Sequence, residues 1–263
     1  MDKTEHNFKA SKEGEAPNVA FPKDALGQCQ FYYMDKFILL SAGNALRLYK
    51  YALDLTVNDL KRYQRRSRYR VVTALTHAAQ SVTAFAAPDS FYSYKAITAG
   101  SDKSLTVFDL NVGRSVRCID DAHARAVHTI RLNTGSSFVS HPPVAYDLFL
   151  TAAHNDGIAM WDLRADRCVR RFTEHASRAY GVGMSFSPCG RYIATGSEDK
   201  CAYLYDIRAG TYLHKLSGHT DVVSDVAFHP LSPHLLTASL DGKLRVFSSK
   251  ASAGGGGSAA GKR

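Results

Sequence analysis

Histidine, threonine and a turn acid or amide recur together three times along the 263-residue chain. A histidine beside a carboxylate and a hydroxyl is the set of groups used in nucleophilic catalysis, with the histidine as general base. The three sets are His123 with Thr151 and Asn155, His175 with Thr195 and Asp199, and His219 with Thr237 and Asp241. An enzyme needs one such set. Three copies in the same order indicate a repeated structural role, so we assign no catalytic residue.

The remaining motifs do not indicate a metal or nucleotide site. The five cysteines are scattered and never spaced as C-x-x-C, and His123 and His128 lack the further ligands of a zinc site. The run from Gly256 to Arg263 matches most of a phosphate-binding loop, but it ends in arginine where the loop needs a serine or threonine for magnesium. The sequence therefore predicts no cofactor and no metal.

An aromatic residue closes each repeat and sets its register. A threonine lies ten positions before the aromatic, and a turn residue six before it, in four consecutive repeats. The aromatics are Phe108, Trp161, Tyr205 and Phe247, with Tyr49 in a weaker first repeat. This spacing is typical of two strands joined by a tight turn. A four-stranded unit of about 42 residues cannot bury both its faces alone, so we expect the units to stack around an axis as propeller blades.

The same residues resemble the WD40 repeat, in which a Gly-His pair opens the unit and Trp-Asp closes it. Gly218-His219 and Trp161-Asp162 are the matching pairs, and Phe186 to Gly190 matches the turn between the first two strands. The resemblance covers roughly residues 30 to 249. It implies an all-β propeller of WD40 type with about five recognisable four-stranded blades, which is either incomplete or part of a larger propeller.

The resemblance also implies a buried hydrogen-bond relay in each well-matched repeat, joining the histidine, the threonine, the turn residue and the aromatic. The relay residues are His123, Thr151, Asn155 and Trp161, then His175, Thr195, Asp199 and Tyr205, and finally His219, Thr237 and Asp241. Phe247 has no polar hydrogen to donate, so the last relay is one member short.

The two ends of the chain differ in composition from the repeats. We expect residues 1–17 to be a disordered tail, 18–249 the propeller, and 250–263 a flexible Gly/Ser-rich tail. The predicted blades are approximately 18–76, 80–119, 124–173, 176–217 and 220–249. The last blade stops soon after its third strand, and residues 18–21 are the short segment predicted to supply a fourth. The small number of blades predicts the C-terminal part of a larger propeller protein, or a ring closed by a partner.

The family's use of its loops implies a function. WD40 propellers bind protein segments on the face formed by the loops between blades and by the turns between second and third strands, so we expect a non-enzymatic scaffold for protein partners and complex assembly. The residues expected on that face are Arg125, Arg178 and Asp221 in the loops between blades, and His154 and Glu198 in the turns.

A basic segment supports an alternative function, the binding of RNA or another polyanion. Its six cations are interleaved with tyrosines, a combination that contacts phosphates and stacks on bases. These cations are Lys61, Arg62, Arg65, Arg66, Arg68 and Arg70. The net charge of +9 agrees with an anionic partner. A solvated insertion in the first blade explains the same residues.

The chain carries no sequence signal for a membrane or for secretion. No apolar run approaches the roughly 18 residues of a membrane-spanning helix, and the polar opening segment lacks the apolar core of a signal peptide. We therefore expect an intracellular protein of the cytoplasm, with the nucleus left open, and no membrane partner.

Overall fold

A computed structural model describes residues 26–52, 68–89, 93–135, 141, 143–165 and 167–248. Its regular structure in these ranges consists of nineteen strands and one 3-10 helix, Pro143–Asp147. The strands form five antiparallel sheets, in each of which spatial order follows chain order. The all-β class predicted from the repeat is confirmed.

Four sheets have four strands and one has three, counted over the described ranges. The first sheet contains β1 (Leu26–Tyr32), β2 (Phe37–Ala42), β3 (Ala45–Ala52) and β4 (Arg68–Thr76). The second contains β5 (Val82–Ala86), β6 (Lys95–Gly100), β7 (Leu105–Asp109) and β8 (Arg114–Ile119). The third contains β9 (Val127–Leu132), β10 (Leu148–Ala153), β11 (Gly157–Asp162) and β12 (Cys168–Phe172). The fourth contains β13 (Met184–Phe186), β14 (Tyr192–Thr195), β15 (Ala202–Asp206) and β16 (Tyr212–Leu216), and the fifth β17 (Val223–Phe228), β18 (His234–Ser239) and β19 (Leu244–Ser248).

The first strands of successive sheets lie side by side. β1 contacts β5, β5 contacts β9, β9 contacts β13, and β13 contacts β17. The first strand of each sheet is therefore innermost and the last is outermost. This arrangement stacks the sheets face to face in sequence order.

Apolar clusters fill the spaces between neighbouring sheets. Between the third and fourth sheets, for example, Met160 and Phe172 pack against Tyr205, all at most 3% exposed. Burying an apolar side chain of this size contributes about 1.5–3 kcal/mol. Alternate residues of each middle strand face opposite neighbours, as the period of a strand requires. Trp161, next to Met160, accordingly packs into the cluster between the second and third sheets.

The repeated threonine has the same register in four sheets. Thr98 pairs with Thr106, Thr151 with Ala159, Thr195 with Tyr203, and Thr237 with Arg245 across the turn that follows the second strand. All four threonines are fully buried. Their hydroxyls are therefore at equivalent places in the fold, and each hydroxyl needs an internal hydrogen-bond partner.

Several predicted segments lie outside the described residues. These are the tails 1–17 and 250–263, and residues 18–21, which were predicted to supply the fourth strand of the last blade. In the described part of the fifth sheet, β19 is the outermost strand. The face of β19 turned away from the fourth sheet is open, since Leu244 is 68% and Val246 is 67% exposed.

Candidate functional site

The relay of the third sheet is centred on His123, a buried residue in the loop before β9. Its Nδ1 lies 2.7 Å from Oδ2 of Asp156, and its Nε2 lies 2.7 Å from Oγ1 of Thr151. Trp161 Nε1 donates to the same Thr151 oxygen at 2.7 Å. A single direction of donation satisfies all the groups: Trp161 to Thr151, Thr151 to His123, and His123 to the Asp156 carboxylate.

The prediction that Asn155 completes this relay is wrong. Asn155 is exposed and has a φ of +60°, a left-handed conformation that asparagine tolerates better than most residues. The backbone N–H of Asn155 donates to the backbone carbonyl of Ser177 at 2.7 Å. The acid of this turn therefore stands one position later than in the other repeats, and Asp156 takes the relay position.

Asp156 also joins the relay to the surrounding loops. Its Oδ2 accepts from the amide of Ala124 at 3.0 Å and from Nη1 of Arg171 at 2.9 Å. Burial raises the pKa of Asp156, but these donors outweigh burial and hold that pKa below its usual value. The pKa of His123 is lowered, because burial outweighs the attraction of the Asp156 carboxylate.

The relay of the fifth sheet brings together its three predicted members. His219 Nε2 lies 2.8 Å from Oγ1 of Thr237, and Nδ1 lies 3.2 Å from Oδ2 of Asp241. The amide of Thr220 donates to the same carboxylate oxygen at 3.0 Å. This amide is the main reason that the pKa of Asp241 lies far below its usual range.

The relay predicted for the fourth sheet forms only in part. His175 meets the predicted Tyr205, whose hydroxyl accepts from the His175 backbone amide at 3.1 Å and lies 3.1 Å from His175 Nδ1, but neither Thr195 nor Asp199 joins them. Asp199 turns to Lys215 Nζ at 2.6 Å and to the Tyr203 hydroxyl at 2.7 Å. Thr195 donates to backbone carbonyls. The Tyr205 hydroxyl extends beyond its ring and reaches His175 directly. Lys215, on the outer strand β16, attracts the Asp199 carboxylate away from His175.

The second sheet holds a buried histidine that the sequence did not reveal. His77 is 3% exposed, and its ring meets the Phe108 ring edge-on at 6.5 Å. Its Nδ1 accepts from the amide of Ala79 at 3.0 Å, whereas Nε2 has no partner among the described residues. Burial lowers the pKa of His77. The signal that could have found it was its distance to Thr98, which is similar to that between His175 and Thr195.

The five residues predicted to bind a partner lie in loops and turns at one end of the sheets, here called the loop face. The loop face consists of the loops between sheets and the turns between second and third strands. Arg125, Arg178 and Asp221 are exposed there, and His154 and Glu198 are half-buried. His154 stacks on His128, with ring centroids 4.7 Å apart.

Glu198 holds the loop that carries Arg178. Its Oε1 accepts from the amides of Ala179 at 2.6 Å and Tyr180 at 2.9 Å. Burial raises the pKa of Glu198, but these amides outweigh burial and lower that pKa. A polar cleft of about 330 Å³ opens beside Arg178, between the third and fourth sheets.

Most of the basic segment lies outside the described residues, namely Lys61, Arg62, Arg65 and Arg66. Only the backbone of Arg68 is described, at the start of β4. Arg70 is exposed on β4 and pairs with Lys50 on β3, while Tyr69 beside it is 43% exposed.

The part of the chain that the structure describes holds no group of three or more His, Cys, Asp or Glu side chains able to bind a metal ion. A helix of the length and apolarity needed to cross a membrane is also absent from these residues.

Two stretches of the chain, residues 166–206 and 210–248, match the family described as WD domain, G-beta repeat. They contain β12 of the third sheet and all the strands of the fourth and fifth sheets. These two stretches are therefore WD40 repeats, and the five stacked antiparallel sheets of the described residues have the all-β architecture of a WD40-type β-propeller.

Curated proteins of the WD-repeat class are similar to parts of this chain. The WD repeat-containing protein 26 homolog of Drosophila melanogaster is 36% identical over 106 residues, which are 39% of this chain and 17% of that protein. The U5 small nuclear ribonucleoprotein 40 kDa protein of Bos taurus is 41% identical over 81 residues, which are 30% of this chain and 23% of that protein. The chain thus spans less than a quarter of the length of either relative.

Proposed function

We propose that this chain is a non-enzymatic scaffold whose loop face binds protein partners and assembles a complex. One observation carries the proposal. Acidic side chains in the turns between second and third strands accept hydrogen bonds from the loops between sheets, at amides adjacent to the exposed charged residues of those loops. Asp156 accepts from the amide of Ala124, next to Arg125, and Asp241 accepts from that of Thr220, next to Asp221.

The loop of the fourth sheet is fixed in the same manner by a different residue. Glu198 accepts from the amide of Ala179, next to Arg178. Three charged side chains of mixed sign are thus presented on loops whose backbones are already ordered. Ordering before association lowers the entropy cost of binding, so this arrangement favours recognition of a charged protein segment.

The relatives support assembly as the purpose of such binding. One similar protein bears the name of a ribonucleoprotein component, which denotes a member of a larger complex. The mixed charges beside the polar cleft suit a protein segment, and we place no catalytic residue in that cleft.

Charge reversal on the loop face tests this function. The full chain is used to capture proteins from a cell extract, as the wild type and as Arg178→Glu and Asp221→Lys. The matched control is Arg208→Glu, since Arg208 is also exposed but lies in the turn between β15 and β16, at the other end of the sheet. We expect the captured partner to be lost with either loop variant and retained with the control. Capture of no partner, or equal loss in all three variants, contradicts the proposal.

A second candidate function is the binding of RNA or another polyanion through the segment from Lys61 to Arg70. The exposure of Tyr69 and Arg70 beside Lys50 favours it, together with the net charge of +9. Retention on immobilised RNA and on heparin is measured against salt for the wild type and for a variant with Arg65, Arg66, Arg68 and Arg70 changed to Glu. A steep salt dependence that the variant loses supports the function. An identical salt profile for the two proteins contradicts it.

Two further proposals concern the chain's relatives and its location in the cell. We propose that the run from Phe186 to Phe247 is similar to the C-terminal repeats of WD repeat-containing protein 27. We also propose that the protein acts in the cytoplasm. Alignment of residues 186–247 with the C-terminal repeats of that protein tests the first point, and an identity no higher than that to other WD repeats contradicts it. Imaging of the tagged full chain tests the second. The blade bounds given above remain predictions, which limited proteolysis of the full chain checks.

A further inference from the structure

The outer edge of the fifth sheet differs from the edges of the other sheets. In the first four sheets a fourth strand, β4, β8, β12 or β16, pairs with the third. Among the described residues, no strand pairs with the outer edge of β19 (Leu244–Ser248). A free strand edge presents backbone donors and acceptors that pair with an extended chain.

A cleft of about 630 Å³ opens beside this edge, between the fourth and fifth sheets. One wall is formed by Leu213 and Leu216 of β16, and the other by Phe247 of β19. The loop from Phe228 to His234 closes one end. Apolar residues dominate the lining, and Leu213 and Leu231 are 44% and 63% exposed. The cleft is therefore shaped and lined for apolar side chains of a strand added to β19.

The charges around this cleft indicate the chemistry of its occupant. No carboxylate lines the cleft, whereas three histidines do: His214, His229 and His234. Lys243, directly before β19, and Arg245, within β19, are both exposed. A second copy of the chain, with a net charge of +9, brings further positive charge to this edge and is disfavoured.

The cleft and the outer edge of β19 are together called the edge site. We propose that the edge site binds an extended segment of an acidic partner protein. The segment has apolar residues at alternate positions and carboxylates at its flanks. Its backbone extends the fifth sheet, and its apolar side chains enter the cleft. The cleft of the edge site is separate from the loop face, since the loops that line it, 187–189 and 228–234, join first to second strands at the opposite end of the sheets.

The first test uses a synthetic peptide as the probe. It has five alternating valines and threonines flanked on each side by two glutamates, carries a fluorophore, and is titrated with the full chain. We expect saturable binding that weakens at least tenfold when the central residue is proline, because proline cannot donate to a sheet ladder. Exchange of the glutamates for lysines is expected to weaken binding as well. Absence of saturable binding, or equal binding of the proline peptide, overturns the proposal.

Variants of exposed leucines locate the site without disturbing the core. Leu213→Asp and Leu231→Asp place a carboxylate in the cleft and are expected to weaken peptide binding at least tenfold. Leu240→Asp is the matched control, since Leu240 is 52% exposed in the turn after β18 and does not line the cleft. Circular dichroism checks that all three variants fold. Equal affinity in the cleft variants and the control overturns the proposal.

A cysteine reports whether the cleft itself is covered. Cys189 is exposed and lines the cleft, whereas Cys118 is exposed on β8 of the second sheet. The bound peptide is expected to slow alkylation of Cys189 and to leave Cys118 unchanged. Unchanged alkylation of Cys189 at saturating peptide overturns the placement in this cleft.

Two further results identify a different occupant. If the wild type binds no peptide but Phe21→Asp does, the chain's own N-terminal segment fills the site and the partner proposal is overturned. If the wild type is a dimer that Leu231→Asp converts to a monomer, a second copy is the occupant, with the same consequence. Arg178→Glu is expected to leave peptide binding unchanged, so failure of the edge site is distinguishable from failure of the loop face.

Discussion

The third and fourth sheets carry the same histidine–threonine–acid pattern, yet their side chains bond differently. In the third sheet, His123 bridges Thr151 and Asp156. In the fourth, His175 bonds to Tyr205, and Asp199 bonds to Lys215. The difference begins at the closing aromatic. The indole of Trp161 donates to the threonine and leaves the histidine free to bond the acid, whereas the hydroxyl of Tyr205 takes the histidine itself.

In both sheets, side chains nevertheless accept hydrogen bonds from backbone amides of the loop that precedes the first strand. In the third sheet the relay acid accepts from the loop amide of Ala124. In the fourth, the amides of Ala176 and Ala179 donate to Ser197 and Glu198 instead. Loop amides therefore have side-chain acceptors in both sheets, and different side chains supply them.

The largest effect is expected from Asp156→Ala. This substitution leaves the buried Nδ1 of His123 without its acceptor and also removes the acceptor of the exposed Ala124 amide, and we expect a loss of about 3 kcal/mol in the free energy of unfolding. Urea denaturation measures it. The control Asn155→Gly is expected to change stability by less than about 0.5 kcal/mol, because glycine adopts the same left-handed conformation. A larger loss for the Asn155 variant would restore Asn155 to the relay.

The second effect is the pH dependence of the free energy of unfolding, to which His175 is expected to contribute more than His123. Burial lowers the pKa of His175 from 6.5 to about 4. The unfolded chain therefore takes up the proton first as the pH falls, and the stability present above pH 6.5 is lost progressively down to pH 4. We expect His175 to account for about 2 kcal/mol of the stability lost between pH 7 and pH 5.

Urea denaturation at both pH values measures this loss in the wild type, His175→Gln and His123→Gln. The His175 variant is expected to flatten the pH dependence more than the His123 variant does, since Asp156 opposes the effect of burial at His123. An unchanged slope in the His175 variant contradicts the assignment.

The third effect is expected from Tyr205→Phe, which removes the hydroxyl that accepts from the His175 amide. The buried amide then lacks a partner, so we expect a loss of about 1.5 kcal/mol by urea denaturation. Tyr203→Phe is the matched control in the same strand. Its hydroxyl bonds to the exposed Asp199, and the expected loss is below about 0.5 kcal/mol. Equal losses in the two variants argue against a special role for the Tyr205 hydroxyl.

The smallest effect is expected from Asp199→Asn. Lys215 is 46% exposed on its side chain, and an exposed ion pair contributes little to stability. We expect a change of less than about 0.5 kcal/mol, measured beside Asp156→Asn. Should the Asp199 variant lose as much as the Asp156 variant, the two acids would have the same role, and the contrast between the sheets would fail.

The repeat register was predictable because it depends on local spacing. A threonine ten positions before an aromatic is a property of one hairpin, and all four threonines lie in equivalent register. The partners of the histidines were less predictable. Asn155 was misassigned because a one-residue shift of the acid leaves the hairpin unchanged. His77 was missed because the distance from histidine to threonine depends on loop length, and it varies from 18 positions for His219 and Thr237 to 28 for His123 and Thr151.

The sequence by itself determined the class of this protein: short alternating strands, tight turns and a recurring set of polar residues specify stacked four-stranded units. These features depend on neighbours in the chain, and the WD40 match confirmed them. Only the tertiary structure decided which acid meets which histidine, that Glu198 holds the Arg178 loop, and that an apolar cleft lies beside the outer edge of β19. Those contacts join residues from separate strands and sheets, and their distances arise from packing that no spacing along the chain encodes.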